Sequence, residues 1–143
     1  MLTENLEKEN LEKIFGVYND NIDVMILSLN YCLGDSTLKT LNNMLNGQGV
    51  GGNSIGYFFP QNFELWDEDY FEKGVMFQWG IRGIIVDNQT FYKYLKRGVS
   101  EFIKLYPKEQ TDAFKLLQEI KVKYNCLDDD NKNVILKELV FND

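Results

Sequence analysis

The hairpin candidate of the chain is Gly74-Val75-Met76-Phe77-Gln78-Trp79-Gly80-Ile81-Arg82-Gly83-Ile84-Ile85-Val86-Asp87. Two apolar runs, 74–79 and 82–86, flank Gly80 and Ile81, the spacing of a tight antiparallel hairpin. Asp87 or Asn88 then ends the second strand and caps a helix. Phe91, Tyr94, Leu95, Gly98, Val99 and Phe102 follow at i, i+3, i+4, i+7, i+8 and i+11, one apolar stripe at the helical period.

Working downstream, Tyr106-Pro107 breaks that helix, and Pro107 suits the first turn of another. Phe114, Leu117, Ile120 and Tyr124 are expected to form its inner face. Asp128-Asp129-Asp130 opens a charged turn, and Val134 to Phe141 forms a short last element of either type. Working upstream, residues 1–15 read as a loosely periodic helix, with Glu4–Lys8 and Glu9–Lys13 as favourable i,i+4 pairs. Ile22 to Leu33, capped by Asp20 or Asn21 and ended by Gly34, is apolar all round. That suits a buried helix, with a buried strand as the alternative. Asp35 or Ser36 starts a further helix through Leu38, Leu41 and Leu45, closed by Gly47. Residues 46–56 are a glycine-rich loop, and Tyr57-Phe58-Phe59-Pro60 is an extended aromatic segment. Helices, a hairpin and more helices amount to an α+β class: one domain over residues 1–143, with a small antiparallel sheet (hairpin about 74–86) packed with several helices.

The 143 residues are 44% hydrophobic, enough for a core, and carry a net charge of −7. That balance argues against direct binding of nucleic acid, whose phosphates demand clustered Lys and Arg, and against an anionic membrane surface. It suits a basic protein partner, or simply solubility. The acidic N-terminus lacks the layout of a signal peptide, and the run from Ile22 to Leu33 is too short to span a bilayer. A cytoplasmic location is the expectation. Two cysteines make no disulfide framework, and Cys32, inside an apolar run, reads as a small buried hydrophobe.

Catalysis is hard to build from this inventory. The chain has no His, the usual general base near neutral pH, so no imidazole activates Cys32. Gly47, Gly49 and Gly52 satisfy G-x-G-x-x-G formally, but the loop follows a helix and leads into an extended segment, and Asn53 stands where a phosphate-binding loop needs Lys. A calcium loop begun at Asp129 fails at Val134 and Val140, where Gly and a bidentate Glu belong. No cofactor and no metal is expected, and no enzymatic activity.

The stretch richest in chemistry is Phe63-Glu64-Leu65-Trp66-Asp67-Glu68-Asp69-Tyr70-Phe71-Glu72, five carboxylates among five large apolar residues. Two carboxylates can serve a hydrolase as acid and base. Acids around an aromatic anchor also make a surface for Lys and Arg of a partner. The structural alternative sends Trp66 and Phe71 into the core with the acids facing water. The last two arrangements are compatible. Glu64, Trp66, Asp67, Glu68, Asp69 and Glu72 are therefore the candidate partner-binding residues, with the Asp128–Asp130 turn as a weaker candidate surface.

Trp66-Asp67, Gly74-Val75-Met76-Phe77, Ile84-Ile85-Val86-Asp87, Thr90-Phe91-Tyr92-Lys93-Tyr94-Leu95 and Tyr106-Pro107 occur in an order that resembles ribonuclease toxin immunity proteins of bacterial contact-dependent growth inhibition systems. The resemblance covers about residues 55–110. It implies a cytoplasmic, non-enzymatic protein that binds the toxic C-terminal nuclease domain of a cognate effector and blocks its access to RNA. It names no catalytic residue. A regulatory or adaptor module with no toxin partner is the competing reading.

Overall fold

The computed structural model describes residues 2–52, 54–128 and 132–141. In chain order, α1 (Leu2–Phe15), α2 (Asp23–Asp35) and α3 (Thr37–Leu45) precede the strands β1 (Val50–Gly52), β2 (Ile55–Phe58), β3 (Val75–Trp79) and β4 (Arg82–Val86). Helices α4 (Asn88–Phe102) and α5 (Gln110–Lys123) follow, then β5 (Ile135–Val140). The five strands form one antiparallel sheet in the order β1-β2-β3-β4-β5.

The expected hairpin is its centre. Trp79 pairs with Arg82 across Gly80 and Ile81. Gly80 has φ +65° while Ile81 keeps a negative φ, the signature of a II′ turn whose twist matches the strands it joins. Asp87 ends β4 and caps α4, its Oδ1 accepting from the Thr90 N–H at 2.8 Å. Ser36 caps α3 in the same way.

The sheet is wider than the hairpin, and it changes one expectation and settles one that was open. The glycine-rich loop is itself strand: Gly51 and Gly52 pair with Gly56 and Ile55. Glycine permits this pairing because a Cβ on Gly51 would stand 2.7 Å from the Phe58 ring, which lies over the strand. The backbone of 51–52 thus belongs to the edge of a sheet rather than to a loop gathered at a helix N-terminus. The last element is a strand, β5, beside β4. Side chains of α4 deliver it there: Thr90 Oγ1 accepts from Val134 N–H, Gln89 donates to Leu127 O and accepts from its N–H, and buried Lys93 donates to Lys132 O and Asn133 Oδ1. Finally, neither Asp20 nor Asn21 caps α2 with its side chain. A 3-10 turn over Asp20–Ile22 leads into the helix, which runs one residue past Gly34.

Helix α2 is buried as its all-round apolarity requires, with Val24, Met25, Ile26, Leu29 and Leu33 against Phe77 and Ile84 of the sheet and Phe91, Leu95 and Val99 of α4. The inner face of α5 is rotated from the expected one. Ala113, Leu117 and Ile120 are buried, while Phe114 faces solvent at 41% exposure. Tyr124, just past the helix, stacks on Phe59 at 5.6 Å, and its hydroxyl donates to Met44 O at 2.7 Å.

A strand alternates its side chains, so a sheet packed on helices by one face leaves a second. Val75 and Phe77 enter the main core; Met76 and Ile85 point the other way. These two and Phe71 form a separate buried cluster, flanked by Phe58, Phe63, Leu139 and Phe141. Residues 63–74 cross this second face, and their arrangement there sets up the site.

Candidate functional site

Phe63 and Phe71 fasten the ends of the acidic segment to the sheet. Their rings lie 5.8 Å apart, and Phe63 is 5.9 Å from Phe58 of β2. Upstream, Asn62 accepts from the Phe59 N–H and donates to Gly47 O, tying the segment to the end of α3. Downstream, Gly74 turns the chain into β3 at φ +93°. A Cβ there would stand 2.3 Å from Val86 O, so no other residue fits without moving the strand.

Between these fixed ends the backbone makes two consecutive turns. Asp67 N–H donates to Glu64 O at 3.0 Å, placing Leu65 and Trp66 at the centre of the first. Tyr70 N–H donates to Asp67 O at 3.1 Å, placing Glu68 and Asp69 at the centre of the second. The Asp67 carboxylate also accepts from the Glu64 N–H at 2.7 Å and closes the first turn from its other side.

The consequence is a sorting of the aromatic residues that composition could not supply. Phe71 goes inward, at 8% exposure. Trp66 does not: it is 80% exposed, and neighbouring Leu65 is 78% exposed. The expectation that Trp66 and Phe71 both enter the core is therefore corrected for Trp66, because central turn positions point away from the sheet. Glu64, Asp67, Glu68, Asp69 and Glu72 all face solvent. The six candidate residues thus lie on one exposed loop, with Asp67 partly occupied as the hydrogen-bond acceptor that shapes it.

These carboxylates make no ion pair among the described residues. The pairs that form lie elsewhere: Lys8–Asp20, Arg82–Asp23, Lys104–Glu101, and Lys96 and Lys121 with Asp128. The Asp128 turn is thus a structural clamp, its carboxylate held below the usual range by the Lys121 hydrogen bond and by Lys96. Asp129 and Asp130 of that candidate surface, and the start of the calcium-loop reading, lie outside the described residues.

The remaining reactive groups are poorly placed for chemistry. Burial pushes both thiols up to about 11, with Asp35 adding to the effect at Cys32 and Asp87 at Cys126, so neither supplies thiolate at neutral pH. Among the described residues, no group of three Cys, Asp or Glu side chains is arranged to hold a metal ion, and no helix is long and apolar enough to cross a membrane. A groove of about 470 Å³ between the start of α3 and residues 105–109 has a mixed rim of Asp35, Glu109 and Lys108. It gathers no acid–base pair around a nucleophile.

A family model described as CDI immunity protein matches residues 18–117, which include α2 through β4, the whole acidic loop and α4. No curated protein and no solved structure matches the chain.

Proposed function

Because the chain belongs to the CDI immunity protein family, and so has the role of neutralising a toxin by binding it, we propose that its toxin is a ribonuclease and that loop 64–72 masks the basic RNA-binding cleft of that enzyme. The carrying observation is the loop itself, an exposed run of carboxylates that form no ion pair among the described residues, on a segment whose two ends are fastened to the sheet.

Glu64, Glu68, Asp69 and Glu72 stand in for RNA phosphates against Lys and Arg of the cleft. Opposite fields speed the encounter and bias its orientation, and with net charge −7 the whole chain contributes. Inhibition is steric and electrostatic, with no enzymatic step and no cofactor. The partner is the C-terminal nuclease domain of the cognate effector, met in the cytoplasm.

The test is co-expression with the domain encoded at the end of the adjacent upstream gene, scored by growth and then by pull-down. Rescue together with a stable complex supports immunity. The variant E64K/E68K/D69K/E72K is expected to lose rescue and complex while staying folded, since all four side chains face water. Full binding by that variant refutes this placement of the interface.

A further inference from the structure

Leu65 and Trp66 are exposed side by side on a loop that buries Phe71 and half-buries Phe63 and Tyr70. Scattered surface hydrophobes are ordinary; a paired Leu and Trp at the tip of a fixed turn is a presented group. Leu65 and Trp66 occupy the two central positions of the first turn, Glu68 and Asp69 those of the second, and Asp67 is the residue both turns share. An apolar prong therefore stands beside an acidic prong on one short backbone.

A single-stranded RNA site has the complementary pattern. Bases stack on aromatic or apolar surfaces, and the neighbouring phosphates meet Lys and Arg. Trp66 has the flat ring and Glu68-Asp69 the charge that such a site recognises, in the order base then phosphate.

We propose that Trp66, supported by Leu65, occupies the base-stacking slot of the ribonuclease beside its phosphate-binding cations, and that Asp67 positions this anchor rather than pairing with a cation. The proposal rests on the toxin-masking reading above. It changes the roles within the candidate set: Trp66 becomes the centre of the interface and Asp67 its latch. Aromatic anchors in the middle of an interface, ringed by polar groups, carry a disproportionate share of binding.

The experiment measures the affinity of the full chain for a nuclease-inactive form of the neighbouring toxin domain. Trp66→Ala is expected to weaken binding about 30-fold or more, with Trp66→Phe recovering most of the loss because it keeps a stacking ring. Asp67→Asn keeps an oxygen that can accept the Glu64 N–H and is expected to bind within about twofold of the parent, whereas Asp67→Ala loses the turn and weakens binding. Short single-stranded RNA is expected to compete with the parent for the toxin.

In a Trp79→Phe background, Trp66 is the remaining tryptophan, and its emission is expected to shift to the blue on complex formation. If Trp66→Ala binds like the parent while the charge-reversed variant fails, the anchor is refuted and the masking reading stands. Equal losses for Asp67→Asn and Asp67→Ala refute the latch. Normal binding by the charge-reversed variant refutes the masking reading itself, whatever Trp66 does.

Discussion

Truncating Phe71 to Ala separates the staple that holds the loop from the loop's own contacts. Phe71 is 8% exposed and packs with Met76 and Ile85 on the sheet face that the helices leave open, its ring 5.8 Å from Phe63. Phe→Ala in a core costs about 3–5 kcal/mol, combining lost transfer free energy with the cavity left behind. This cluster is small and one of its walls is a surface loop, so the site can partly collapse. The lower end, about 3 kcal/mol, is the expectation. Against a total stability of about 5–15 kcal/mol the protein stays folded, with its melting midpoint lowered by roughly 10 °C.

Urea unfolding checks the value, and the slope with denaturant should hold while the midpoint falls. Trp66→Ala, on the same loop but out in solvent, is expected within about 0.5 kcal/mol of the parent. Phe71→Ala should also bind the toxin domain more weakly than its stability loss explains, because the turns lose their base. A stability loss below about 1 kcal/mol would refute the staple and the two-faced sheet on which it depends.

Four further outcomes follow from the geometry. Gly74→Ala forces a Cβ toward Val86 O at φ +93° and is expected to cost about 2 kcal/mol or more by thermal unfolding; a neutral result contradicts the turn. Gly98→Ala sets a helix-propensity gain of about 1 kcal/mol against overpacking of about 1–3 kcal/mol, since a Cβ would stand 2.6 Å from the Phe15 ring and 2.7 Å from Leu33; net destabilisation by denaturant titration is expected. Both thiols are raised from 9.0 to about 11, so the fold favours their protonated form: that contribution is complete below pH 9 and fades as pH rises through 11, seen as a falling melting midpoint, and at pH 8 a disulfide reagent should modify neither cysteine until urea unfolds the chain. Association with the toxin domain should slow as salt rises from 50 to 500 mM in stopped-flow traces, reflecting about 8 Å of screening length at physiological ionic strength; a flat profile contradicts electrostatic steering.

Periodicity and turn chemistry alone determined the hairpin at 74–86, the helix that follows it and the burial of α2, and narrowed two helix caps to the pairs Asp35 or Ser36 and Asp87 or Asn88, of which the structure uses Ser36 and Asp87. These signals are local: a two-residue turn, a 3.6-residue stripe or a capping oxygen acts within a few residues of itself. The order of quoted motifs carried the family as well, and the acid-rich loop was visible as composition.

Tertiary structure decided what depends on partners far along the chain. Gly51 and Gly52 have little strand preference and become β1 only because β2 and the Phe58 ring lie against them. Residues 135–140 become an edge strand because α4 side chains deliver them to β4. Phe114, expected inside, faces solvent and Ala113 is buried, because the helices against which α5 packs set its rotation. Phe71 and Trp66 are both aromatic and both flanked by acids, and nothing within the loop ranks one as the inward residue. Phe71 is buried because Met76 and Ile85 offer an apolar face where the chain returns to β3 through Gly74, and Trp66 is exposed because backbone hydrogen bonds place it at the centre of a turn.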